Sequence, residues 1–225
     1  MEKDELIRRI IEKEWPMFHS VNGEKRVDCQ EDRAVFEAMR RAQFTAWSFE
    51  AAEHYLHDLE NAEKDGRNLA REKYIRMMKS TDPAAYEAFK TELPEISAEQ
   101  EQLVREIWSR MLIQTERMRE RYPAIALTGR PLLASEEADG WASIETYQCG
   151  ELATYSVETL KALLEHLEAL EKKGLDLAMM IQKNSIIAMG YRSMEEAEKK
   201  IAFQYIQEMG GGECSGCGAY QNLGF

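Results

Sequence analysis

The stretch SAEQEQLVREIWSRMLIQTERM (Ser97–Met118) decides the fold class. Ser97 and Gln100 stand at the spacing of a capping box, in which a serine hydroxyl and a glutamine side chain satisfy each other's backbone N–H groups. Leu103, Val104, Ile107, Met111, Leu112, Thr115 and Met118 then recur every three or four residues and form one face of a long amphipathic helix. The same periodicity continues in both directions, and alternating runs suited to strands are scarce. Upstream, Ile7, Ile10, Ile11, Trp15 and Phe18 share a stripe that Pro16 is expected to end or kink. His19–Gln30, with Asn22-Gly23, reads as a loop. Helices follow over Asp32–Trp47, Phe49–Lys64 (stopped at Asp65-Gly66) and Arg67–Lys79. Thr81-Asp82-Pro83 opens a short fifth helix, and Pro94 closes that region.

Downstream, Tyr122–Gly140 holds Pro123, Gly129 and Pro131 and reads as a long irregular connection, either a cover over a site or a simple crossover. Helix is expected from Ala142 to Lys173, stopped by Gly174, then over Leu175–Met189 and Met194–Met209, the last opened by a second capping box at Ser193–Glu196. No repeat period or sustained heptad is present. The expectation is an all-α bundle of eight or nine helices in one domain, residues 1–209, with a flexible Gly/Cys-rich tail over 210–225.

The chain has 225 residues, 29 Lys+Arg against 41 Asp+Glu, and a net charge of -12. That charge disfavours nucleic acid and anionic membrane surfaces as partners. The N-terminal stretch MEKDELIRRIIEKEWPMF lacks the apolar run of a secretory signal. No run reaches the roughly 20 apolar residues that span a bilayer. Cys29, Cys149, Cys214 and Cys217 are ordinary usage rather than a disulfide framework. A cytoplasmic, acidic helical protein is expected.

Polar residues on apolar faces supply the candidate site. In the second helix Phe36, Met39, Gln43, Phe44 and Trp47 form the inward stripe with Arg40 beside it. Glu72 and Arg76 stand one turn apart, suited either to a surface pair or to an inward polar site. In ETYQCGELATYS (Glu145–Ser156), Tyr147, Glu151 and Tyr155 are spaced i, i+4, i+8 on one helical face that Glu158 extends. A carboxylate between two phenols suits general acid/base chemistry if burial raises its pKa. It equally suits ordinary amphipathic packing with Glu151 solvated or held by an arginine. Gly150 admits close approach of another helix or of a ligand.

His54 and His57, with Glu50 and Asp58 nearby, have metal-ligand character but lack HExxH or Glu-x-x-His spacing. Cys214 and Cys217 form a lone CxxC, and Cys149 has no histidine near it in sequence. Phosphate-cradling and hydrolase-elbow motifs are absent.

Four strings, EKEWPMF, DCQED with FEAMRRAQFTAW, GRNLAREKYIRMMKST and ETYQCGELATYS, resemble a bacterial domain-of-unknown-function family, number 4125, over most of the chain up to about Gly190. The resemblance implies a bacterial, cytoplasmic, helical protein and carries no activity. Two departures from it are the single glycine in Asn22–Arg26 and the cysteine tail.

The leading functional expectation is an enzyme acting on a small polar substrate in a cleft between helices. Glu151 would be the acid/base and Tyr147 and Tyr155 the orienting groups, with Glu72 as a further catalytic carboxylate. Arg40 or Arg76 would clamp an anion, and Gln43 and Trp47 would bind substrate. The alternatives are a non-catalytic ligand- or partner-binding module, whose twelve methionines suit a protein partner and for which a small-molecule ligand or a homodimer stays open, and a metal-binding protein using His54 and His57. The residues name no cofactor.

Overall fold

Eleven α-helices make up the regular structure of the computed structural model, which describes residues 1–21, 32–138 and 140–210. They are α1 (Lys3–His19), α2 (Arg33–Ala46), α3 (Phe49–Lys64), α4 (Leu69–Thr81), α5 (Pro83–Phe89), α6 (Ala98–Arg121), α7 (Pro123–Leu127), α8 (Ile144–Leu152), α9 (Val157–Glu171), α10 (Leu177–Ala188) and α11 (Met194–Gly210). No strand is present among the described residues, where the only β pairing is an isolated bridge between Ala138 and Trp141.

Short polar side chains set the helix starts. Asp32, Ser48, Asn68, Asp82, Ser97, Ser143 and Ser156 each accept a backbone N–H from the first turn they precede. Ser97 and Gln100 form the complete capping box expected of them. The second box forms only in part. Ser193 accepts from the Glu196 amide, but the Glu196 carboxylate reaches back to the amide of Arg192 rather than that of Ser193.

The eleven helices exceed the expected eight or nine for two reasons. The connection over Tyr122–Gly140 contains α7, whose first residue is Pro123, and a single 3-10 turn at Ala134–Glu136. The expected helix over Ala142–Lys173 is two helices. Thr154 turns its hydroxyl onto the Glu151 carbonyl at 2.7 Å, and Ser156 caps a fresh start, so the chain breaks between α8 and α9. Pro16 does not end α1, which continues to His19 with the proline ring on its exposed side. Residues 22–30 of the expected loop lie outside the described residues, as does all of the Gly/Cys-rich tail except Gly210.

The main core joins α1, α2, α3, α6, α8, α9 and the start of α10 around Leu6, Ile10, Phe44, Leu56, Leu59, Ile107, Leu160 and Leu167, all essentially inaccessible. A second cluster, including Met118, Tyr122, Ile125, Ile186, Met194 and Ile201, packs the end of α6 and α7 against α10 and α11. Among the described residues no helix is long and apolar enough to cross a membrane.

Candidate functional site

Gly150 fixes the geometry of the site. A Cβ there would stand 3.1 Å from Cγ of Met77 and 3.3 Å from the Lys73 carbonyl, so the missing side chain lets α8 lie directly on α4. This close approach brings Glu151 against Lys73. The Lys73 Nζ donates to Glu151 Oε2 at 2.5 Å. Arg40, from α2, donates to Glu151 Oε1 at 3.0 Å and to Gln43 Oε1 at 2.7 Å. Its other guanidinium edge forms a two-point pair with Glu14 of α1, with Nε at 2.8 Å from Oε2 and Nη2 on Oε1. Two phenols complete the set, Tyr55 on Glu14 at 2.6 Å and Tyr155 on Glu151 at 2.7 Å.

Glu14, Lys73 and Glu151 are 7%, 8% and 8% exposed, so this is an interior ion network. Behind it Phe44, Trp47, Tyr55 and Tyr155 pack ring on ring, with centroids 4.8–6.1 Å apart, and the Arg40 guanidinium lies 4.7 Å over Phe44.

Burial alone would raise the Glu151 carboxyl. The Arg40 and Lys73 charges, with hydrogen bonds from Lys73 and Tyr155, overcome that and hold it well below the ordinary carboxylate range. Burial likewise opposes the charge on Arg40, but Glu14 and Glu151 hold that guanidinium firmly protonated. Burial pulls the Lys73 ammonium below its usual value against the pull of Glu151. Burial and the neighbouring carboxylates push Tyr55 and Tyr155 well up, so both act as neutral donors.

A cavity of about 290 Å³ opens over this network. Its charged floor is Glu14, Arg40, Lys73 and Glu151, joined by Gln43, Tyr147, Gln148 and Arg130, and its walls include Met17, Phe18, Phe36, Met39, Trp47 and Trp141. The ring of Tyr147 has the Lys73 Nζ 3.3 Å and the Arg130 guanidinium carbon 5.2 Å from its centroid. Arg130 and Trp141 come from the connection between α7 and α8, which therefore covers part of the cavity.

Of the residues singled out from sequence, Glu151, Tyr147, Tyr155, Arg40, Gln43 and Trp47 all line this one cavity. Tyr155 reaches it from the turn after α8, not from one continuous helical face, and Glu158 is exposed. Glu72 and Arg76 do not line it, nor do they form the surface pair. Glu72 pairs with Arg67 through two contacts of 2.8 Å, and Arg76 donates to the Pro94 carbonyl at 3.1 Å. Asp58 caps α9, accepting from the Ser156 amide and the Thr159 hydroxyl, and the His54 and His57 rings stand edge-on with centroids 6.5 Å apart. Among the described residues no three metal-ligating side chains are grouped. Burial pushes the Cys149 thiol up to about 12, leaving it un-ionised at neutral pH. Cys29, Cys214 and Cys217 lie outside the described residues.

Sequence reasoning missed Glu14, Lys73, Tyr55 and Arg130. Two carried a readable signal. Glu14 continues the stripe of Ile7, Ile10 and Ile11, and Lys73 stands between Leu69 and Met77 at i, i+4, i+8. Each is a charge where its own helix face asks for an apolar residue. Tyr55 is indistinguishable from an ordinary core aromatic, and Arg130 lies in a segment with no periodicity.

The fold and this site define an all-helical protein whose interior carries a charged network facing a small-molecule-sized cavity. The chain belongs to the family described as Protein of unknown function (DUF4125), whose model matches residues 4–199. Comparison with curated proteins and with solved structures finds no match.

Proposed function

We infer that the protein binds a small molecule in the cavity between α1, α2, α4 and α8. The carrying observation is the placement of the ion network. Buried ion pairs usually add no stability over well-packed apolar residues, because desolvating the charges offsets their attraction. A four-charge network on the floor of a cavity is therefore better explained by what it presents to a ligand than by what it does for the fold. The volume of about 290 Å³ stands at the lower end of the roughly 300–1,000 Å³ of small-molecule sites, which suits a metabolite-sized ligand. Polar floor and apolar, methionine- and aromatic-rich walls suit a molecule with one polar end and an apolar body.

In this reading Glu151 is a fixed charge that positions Lys73, Arg40 and Tyr155. A carboxylate held this far down is a weak base and is not protonated at neutral pH, so it does not suit the acid/base role that the sequence suggested. A catalytic reading of the same cavity is favoured by Lys73, a buried ammonium of lowered pKa against Tyr147, as the group that moves a proton. Saturable turnover lost in Lys73→Met with ligand binding retained would establish that reading over simple binding.

The test of binding is a thermal-shift screen of carboxylic acids, alcohols, amines and amides of metabolite size, on the parent protein and on Ala70→Trp, which fills the cavity from α4. Ligands at about 100 times Kd stabilise by roughly 2.7 kcal/mol. Compounds that raise the midpoint of the parent and not of Ala70→Trp support the reading. No shift with any compound, or equal shifts in both proteins, removes it.

A further inference from the structure

The charges around the cavity do not cancel. Three cations line it, Arg40, Lys73 and Arg130, against two carboxylates, Glu14 and Glu151. Both carboxylates are fully engaged, Glu14 by Arg40 and Tyr55 and Glu151 by Arg40, Lys73 and Tyr155. Arg130 is left over. It has no ion pair among the described residues, where one of its Nη atoms donates to the Ala142 carbonyl at 3.0 Å and its Nε is buried with no acceptor. The Ala142 bond and the Tyr147 ring hold the guanidinium in place, so its remaining donors are oriented before anything binds.

We propose that Arg130 is the anchor for a carboxylate, and that the ligand of the cavity is a monocarboxylate with an apolar or aromatic body. This rests on the reading of the cavity as a binding site and names its ligand class. One uncompensated cation calls for one negative charge. A guanidinium with unused donors matches a carboxylate in shape, and a charge-assisted bond in a partly dehydrated site is about twice as strong as a neutral one. Lys73 and Arg40 do not compete for the anion, because each already faces Glu151 within 3.0 Å.

Arg130 stands where two cavities share a wall with Met111, Gln148 and Ile181. The second cavity is about 80 Å³ against about 290 Å³ for the first, so the larger one is the space for the body. The carboxylate therefore points to Arg130 while the body extends along Trp141, Phe36 and Met39 in the larger cavity.

Isothermal titration with 3-phenylpropanoate, 3-phenylpropan-1-ol and 3-phenylpropylamine tests the proposal, since the three probes share a body and differ in charge. The expected result is at least tenfold tighter binding of the carboxylate than of the alcohol, with the amine weakest. In Arg130→Met that preference falls to within twofold, and Arg130→Lys keeps part of it. Equal binding of carboxylate and alcohol to the parent protein overturns the carboxylate anchor while leaving a cavity that binds apolar bodies. Retention of the preference in Arg130→Met overturns the assignment to Arg130. Failure of all three to bind also overturns the proposal, and the broader screen with Ala70→Trp separately decides whether the cavity binds at all.

Discussion

At the scale of single residues, Glu151 and Glu72 make an instructive pair. Both are buried glutamates, 8% and 5% exposed, and both are paired with a cation. The partner of Glu72 is Arg67, whose side chain is 38% exposed, so water takes over much of the arginine's charge when the carboxylate is lost. The partners of Glu151 have no such relief, since the Arg40 and Lys73 side chains are 12% and 10% exposed. Removing one member of a buried ion set leaves an uncompensated charge and typically costs about 3–5 kcal/mol, against about 1 kcal/mol or less for a pair open to solvent. Denaturant unfolding should therefore show Glu151→Gln destabilised by about 3 kcal/mol or more and Glu72→Gln by about 1 kcal/mol. Adding Lys73→Met to Glu151→Gln should recover part of the loss, because the second change removes the orphaned charge. A Glu151→Gln protein as stable as its parent would show that the network is not held as a charged unit.

At the scale of helices, the crossing of α8 on α4 depends on Gly150. Glycine to alanine within a helix normally gains about 1 kcal/mol. Here the added methyl meets the Lys73 carbonyl at 3.3 Å, and forced overpacking costs about 1–3 kcal/mol. The Met77 side chain can move aside, but the α4 backbone cannot without shifting Lys73 away from Glu151. Gly150→Ala is thus expected to lose about 1 kcal/mol net, a fall of roughly 2–4 °C in Tm for a chain of this size. An increase in Tm would mean that α8 moves off α4 freely.

This element also shows how far the sequence carries. Gly150 is readable as a point of close approach, the Ser97–Gln100 box as a helix start, and Tyr147, Glu151 and Tyr155 as a cluster, because each is a local pattern. What Glu151 meets is not local. Lys73 is 78 residues away and Arg40 is 111 away, and no single-sequence periodicity records which helix faces meet. The break between α8 and α9 was hidden for a different reason. Thr154 and Ser156 interrupt an otherwise continuous apolar period, and their hydroxyls end one helix and start the next through hydrogen bonds that hydropathy does not register.

At the scale of the whole molecule, ion-paired and hydrogen-bonded groups set the pH range of stability. Glu151 is held well below the ordinary carboxylate value of 4.5, and Glu137, bonded by Ser143 and Ser80, is held at about 2. In the unfolded chain both titrate near 4.3–4.5. Below that range the unfolded state binds more protons than the folded one, so their stabilisation is complete above about pH 5 and is lost as the pH falls. The alkaline limb has two opposing parts. Lys73 is lowered from 10.5, so the folded state gains relative stability as the pH rises toward the unfolded lysine value. Tyr55 and Tyr155 are raised well above 10.0, so the folded state keeps protons that the unfolded chain gives up above about pH 10, and stability falls there. The lysine gain ends at the unfolded lysine value, so the phenols set the direction above it. Denaturant midpoints should therefore fall below about pH 5 and fall again on the alkaline side, above the unfolded tyrosine and lysine values. Glu151→Gln should flatten the acid limb, because the substituted side chain no longer titrates. Tyr155→Phe should flatten the alkaline limb and leave the acid limb standing, since Arg40 and Lys73 still hold Glu151 ionised. An alkaline limb unchanged in Tyr155→Phe would show that the phenol ionises in the folded protein as readily as in the unfolded chain, and so that it does not donate to Glu151.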